Sequence, residues 1–289
     1  MLSSPVRLNR FFWQERAGVA GAWPGGRASA IAHDPRVSQS ALRRRRPSVR
    51  SAPLHQKESC HERVDQLPVR RRHRHPDPQQ RQGERHLPGG DRRFNQALDQ
   101  ALQDKAVVIV TGQPGILSGG YDLKVMTSGP ENAVNLVAAG STLARRLLSH
   151  PYPVIVACPG HAVAKGAFLL LSADYRIGVD GPFQIGLNEV AIGMTMHHVG
   201  IELARDRLRK SAFTRSVINA EMFSPAAAVD AGFLDTLVSA DQLQESARAA
   251  AQQLKKLNMT AHRNTKLKVR KALLETLDQA IELDKRHLG

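Results

Sequence analysis

Two glycine-bearing stretches of this 289-residue chain have the residue types that let a backbone do chemistry. The first is Ile116-Leu117-Ser118-Gly119-Gly120-Tyr121-Asp122-Leu123, and the second is Gly160-His161-Ala162-Val163-Ala164-Lys165-Gly166-Ala167. Glycine lets the backbone approach a ligand closely, and the amides that open a helix point outward. One amide from each stretch could hold a single oxyanion between them. Each stretch taken alone reads equally well as a plain strand-to-helix turn. Among the neighbouring side chains, Asp122 stands where a helix cap would, and Tyr121 and Met194 read as pocket wall. His161, His197 and His198 lack the spacing of a metal set. Two cysteines, Cys60 and Cys158, exclude a disulfide-rich scaffold and a four-cysteine zinc site.

Both stretches follow apolar runs that read as buried strands. Ala106-Val107-Val108-Ile109-Val110-Thr111 ends at Gly112, and Pro153-Val154-Ile155-Val156-Ala157-Cys158 ends at Pro159-Gly160. Tyr175-Arg176-Ile177-Gly178-Val179 is a third such run. Helices are expected around 94–102, over 131–149 and from about Ala164 to Ala173. The chain then turns mostly helical, with helices over 195–208, 211–218, 224–231, 240–257 and 260–287. Strand–helix alternation followed by a helical tail implies an α/β domain with a largely parallel sheet. No apolar run reaches the ~18 residues needed to cross a bilayer.

The formal net charge of +15 invites a nucleic-acid reading until it is located. Residues 1–93 hold 20 Lys+Arg against 8 Asp+Glu, a net of +12, whereas residues 94–289 hold 21 against 18. The basic residues also change in kind, with 19 Arg and one Lys before the boundary and 11 Arg and 10 Lys after it. Residues 1–93 keep no period of 2 or 3.6 and are expected to be a disordered basic Arg/Pro-rich arm. The arm could instead serve as an anionic-surface tail or a targeting peptide. Its aromatics, Phe11, Phe12, Trp13 and Trp23, are not interleaved with the Arg runs, which argues against base stacking.

The paired loops, their order, and the segment from Phe183 to Gly193 resemble the crotonase, or enoyl-CoA hydratase/isomerase, superfamily. The later block Phe223-Ser224-Pro225-Ala226-Ala227-Ala228-Val229-Asp230-Ala231-Gly232 agrees. The resemblance covers about residues 94–289. It implies a crotonase-like (ClpP/crotonase) spiral of ββα units with a helical C-terminal part from about residue 195. It also implies an acyl-CoA substrate, with an enolate held at the thioester oxygen by two backbone amides. The donor positions fall on Gly119 and Lys165, a lysine where glycine is usual, so that any need for positive φ would cost strain. Ser118, Gly120, Tyr121, Asp122, His161, Gly166, Phe168 and Met194 are then expected to line the substrate site. Hydratases of the family use two glutamates. The second matches Glu189, in Gly186-Leu187-Asn188-Glu189, and the first falls on Phe168, which cannot transfer a proton. A single carboxylate can still shuttle a proton between carbons. No cofactor is implied beyond the coenzyme A of the substrate, and no metal. A cytoplasmic homotrimer or hexamer in fatty-acid or related acyl-CoA metabolism is expected, without membrane or nucleic-acid partners.

Family members open with a β-hairpin before the helix at Phe94, and residues 61–93 look nothing like one. Read one base later, codons for these residues can spell a start methionine, an alternating strand GIATLTL and an Asn-Gly turn. His61 before Glu62 allows only Met or Thr in that frame. Residues 61–93 are therefore expected to be a frameshifted reading of the native N-terminus. The competing function classes are a nucleic-acid-binding protein built on the arm and a catalytically inactive crotonase-shaped scaffold.

Overall fold

The computed structural model describes residues 89–287. The expected basic arm and the frameshifted segment lie, but for their last few residues, outside the described residues.

The described chain runs α1 (Gly89–Gln103), β1 (Val108–Thr111), β2 (Gly115–Ser118), α2 (Leu123–Met126), α3 (Pro130–Ser149), β3 (Val154–Cys158), β4 (Gly160–Val163), α4 (Lys165–Leu171), β5 (Tyr175–Val179) and β6 (Ile185–Gly186). A 3-10 turn at Val190–Ile192 leads to α5 (His198–Arg207), α6 (Lys210–Val217), β7 (Met222–Phe223), α7 (Pro225–Ala231), β8 (Thr236–Val238), α8 (Leu243–Lys255), α9 (Met259–Val269) and α10 (Lys271–His287).

Two four-stranded sheets result, ordered β1-β3-β5-β8 and β2-β4-β6-β7. The first is parallel throughout, and the second is parallel until β6 meets β7 antiparallel. The pairs β1–β2, β3–β4 and β5–β6 each send one strand to each sheet before a helix or helical turn follows, whereas β7 and β8 are separated by α7. β1 and β3 are apolar on both sides because both faces of the first sheet are covered. Val108, Val110, Val154 and Val156 face a core shared with Leu143 and Leu147 of α3 and Leu277 of α10. Val107, Ile109, Ile155 and Ala157 face the other way, onto Leu243, Ala247 and Ala251 of α8, spaced four apart on one helical stripe.

Two sequence expectations change. The stretches read as loops after β1 and β3 are partly strands, β2 and β4, which pair with each other. The single helix expected over 260–287 is broken at Arg270 (φ −90°, ψ 5°). There the Arg270 guanidinium turns inward to Leu148 O at 2.9 Å and Asp174 Oδ1 at 2.9 Å. Asp174 also accepts from Lys266 Nζ at 2.6 Å and from Val154 N at 2.7 Å. One carboxylate on the β5 approach thus holds α9 and the residue that separates it from α10.

Candidate active site

The two glycine-bearing stretches are brought together by the second sheet. β2 and β4 run parallel with Ser118 opposite Ala162, after a register shift between Ile116 and Ser118. Beyond β2, Gly120 adopts φ +119°, a conformation for which glycine is suited, and its N–H donates to Ser118 Oγ at 3.2 Å. Gly119 before it is exposed. Beyond β4, α4 begins with no side-chain cap at Ala164, so its first amides are left for an outside acceptor. The loops touch closely. A methyl added to Gly166 would lie 2.6 Å from Ser118 O, and one added to Gly120 would meet the Ala164 methyl. The strain anticipated at Lys165 sits one residue earlier. Lys165 is helical, while Ala164 carries φ +51° and ψ −112°. Ala164 N is fixed by Gly186 O at 3.0 Å, which ties this turn to β6.

Three residues beyond Gly186 lies Glu189. Its backbone is held by a short turn: Ile192 N and Met194 N both donate to Glu189 O, and Gly193 closes the turn at φ +80°. The residue is 5% exposed, and neither carboxylate oxygen hydrogen-bonds to another residue. Burial pushes its carboxyl up to about 7 from the ordinary 4.5, and its own backbone amide offsets part of that rise. A carboxyl poised near neutrality and aimed at no protein partner suits proton transfer to and from a ligand.

The model for the enoyl-CoA hydratase/isomerase family matches residues 92–289. The chain belongs to that family. An enoyl-CoA hydratase/isomerase family protein from Pseudomonas syringae is 75% identical, covering 70% of this chain and 88% of that one, with a TM-score of 0.69. An enoyl-CoA hydratase from Mycobacterium ulcerans is 37% identical over 70% of this chain and 89% of its own, with a TM-score of 0.68. The human mitochondrial enoyl-CoA delta isomerase 1 is 29% identical over 186 residues, 63% of this chain. The chain spans 62% of that relative's length.

Within this enoyl-CoA hydratase/isomerase fold the other anticipated residues divide. Lys165 is buried, and its Nζ lies 5.5 Å from the centroid of the Tyr121 ring, whose hydroxyl end packs on Gly140 of α3. Phe168, one turn along α4, is buried with its ring edge-on to His197 at 5.0 Å. Asp122 is engaged as the cap of α2, accepting from Lys124 N at 2.9 Å. His161 is engaged on β4, where Nδ1 accepts from Gln184 N at 3.0 Å and the ring meets Phe183 edge-on. Met194 reaches the site through its backbone bond to Glu189.

Of the three histidines set aside as metal ligands, His197 is a core residue, and sequence reading missed its neighbour Asp284. The imidazole of His197 is buried and held neutral, its pKa pushed down to about 4 by desolvation against a weaker pull from Asp284. Asp284 of α10 caps α5, accepting from His198 N at 2.7 Å and Val199 N at 3.1 Å. A cap supplied from 86 residues away leaves no local signature.

Proposed function

We propose that the chain moves a double bond within an enoyl-CoA, with Glu189 as the single shuttling base. The thioester oxygen accepts from the Gly119 and Lys165 amides. The Glu189 carboxylate takes a proton from C2 of a 3-enoyl-CoA, and negative charge passes to the thioester oxygen as a dienolate. Returning the same proton to C4 leaves a 2-enoyl-CoA, so no atom is gained or lost. The carrying observation is one buried carboxylate, Glu189, neither oxygen of which hydrogen-bonds to another residue; on the family resemblance Phe168 stands where a second carboxylate would. Hydration needs a further group to orient and split water, and Phe168 offers none.

Family membership supports the acyl-CoA substrate and a place in fatty-acid or related acyl-CoA metabolism. Coenzyme A enters only as part of that substrate. The same reading includes a homotrimer or hexamer in the cytoplasm, which sedimentation and fractionation of the expressed protein test. For the chemistry, 3-enoyl-CoA and trans-2-enoyl-CoA are supplied separately and each product is followed. The expected result is 2-enoyl-CoA from the first and slow or absent hydration of the second. Hydration as fast as isomerisation would replace this reading with a hydratase. Glu189→Ala should lower isomerisation by at least ~10²-fold; full activity in that variant would remove Glu189 from the base role.

A further inference from the structure

We infer that Lys165 serves the site twice, its amide as an oxyanion donor and its ammonium as a fixed charge that stabilises the enolate and straps the two donor loops together. The inference rests on the proposed enolate chemistry and adds to it. Lys165 opens α4, and its Nζ stands over the face of Tyr121, which belongs to the other loop, two residues after Gly119. A cation within about 6 Å of an aromatic centroid is held by the ring quadrupole. Tyr121 in turn packs closely on Gly140 of α3, where even a methyl would overlap Tyr121 Oη. The strap therefore joins the loops at a third point, beside the Gly166–Ser118 and Gly120–Ala164 approaches.

The charge also has nowhere distant to go. Four side-chain carbons let an ammonium travel only about 6 Å from its own Cα. With Lys165 4% exposed, the ammonium is held inside the fold, within that reach of the amide that would bind the oxygen. At a separation of about 8 Å and an effective dielectric of about 20, a unit charge shifts an oxyanion equilibrium by one to two powers of ten.

The test uses the full chain and acetoacetyl-CoA, whose enolate is followed by its ultraviolet absorbance as pH is raised. Lys165→Met keeps the amide and the length without the charge; Lys165→Gly keeps the amide alone and serves if the methionine variant does not fold. Both are expected to raise the apparent enolisation pKa of the bound ligand by about one unit and to lower kcat about tenfold. KM should move less than threefold. Tyr121→Leu should give a smaller rise in the same direction. An unchanged enolisation pKa in both Lys165 variants overturns the inference. Failure of the unmodified protein to bind acetoacetyl-CoA as the enolate would instead refute the proposed function itself.

Discussion

Replacing Glu189 by glutamine separates the cost of its burial from its use. The carboxyl titrates at about 7 in the folded chain against 4.5 ordinarily, chiefly through desolvation. The folded state therefore binds this proton more tightly than the unfolded state does. That contribution to stability is complete below pH ~4.5 and is lost as pH rises through about 7. A shift of about 2.5 units at about 1.4 kcal/mol each amounts to about 3 kcal/mol of destabilisation above neutrality. Glutamine has the same shape and no charge, so Glu189→Gln should gain about 3 kcal/mol on the wild type between pH 4.5 and 8.5. For a domain of this size that is a relative rise in Tm of roughly 6–12 °C. Any cost of burying the amide is common to both pH values and cancels in the difference. Thermal unfolding of both proteins at the two pH values measures it. Wild-type kcat/KM should climb as pH passes through about 7, because the base must be ionised. A Tm difference that is the same at both pH values would refute the desolvation argument. Loss of activity with no such pH trend would leave Glu189 merely structural.

Asp284→Ala removes the two-pronged cap of α5 and should cost about 1–2 kcal/mol, read by urea unfolding; no loss would mean that the two bonds contribute nothing to α5. Ala164→Gly relieves φ +51° next to the donor amide, and its Tm should rise by about 1–3 °C. A fall would show the conformation to be unstrained. Asp174→Ala leaves Lys266 and Arg270 buried without their shared carboxylate and should cost about 3–5 kcal/mol, seen in the denaturant midpoint. Resequencing the gene across codons 55–95 is expected to reveal a one-base frame change before Phe94. An uninterrupted frame encoding His61 to Phe94 as written would end that expectation.

The strands of the first sheet were legible because they are buried on both faces, so β-branched residues fill β1 and open β3, where only small Ala157 and Cys158 follow. β5 shows its bounds for the same reason. β2 and β4 were not legible as strands. They are four residues long, each starts at glycine, and they owe their form to pairing with each other across more than 40 residues. The break at Arg270 was hidden for a related reason. Apolar periodicity runs on from Leu267 to Leu274, and what interrupts the helix is Asp174, almost a hundred residues earlier. At the site, Gly119, Lys165 and Glu189 are singled out by motif order, whereas the Ala164 conformation and the Phe168–His197 contact depend on packing that no local pattern records.

The two departures from the family pattern stand three residues apart on α4, Lys165 and Phe168, which places them on one side of a single helical turn. Their effects on the proposed chemistry are complementary. Phe168, edge-on to a neutral and buried His197, removes the group that would orient water and presents an apolar surface in its place. On the proposed chemistry Lys165 would add positive charge beside an amide that donates to the enolate oxygen. A site altered in these two ways has less means to deliver water to a carbon and more means to hold negative charge while a proton changes carbons. Glu189 matches the second task, since a carboxyl titrating near 7 can accept and return a proton at similar cost. If hydration were the working reaction, the Phe168 substitution would oppose the function and the Lys165 substitution would do little for it. For isomerisation, both act in the same direction.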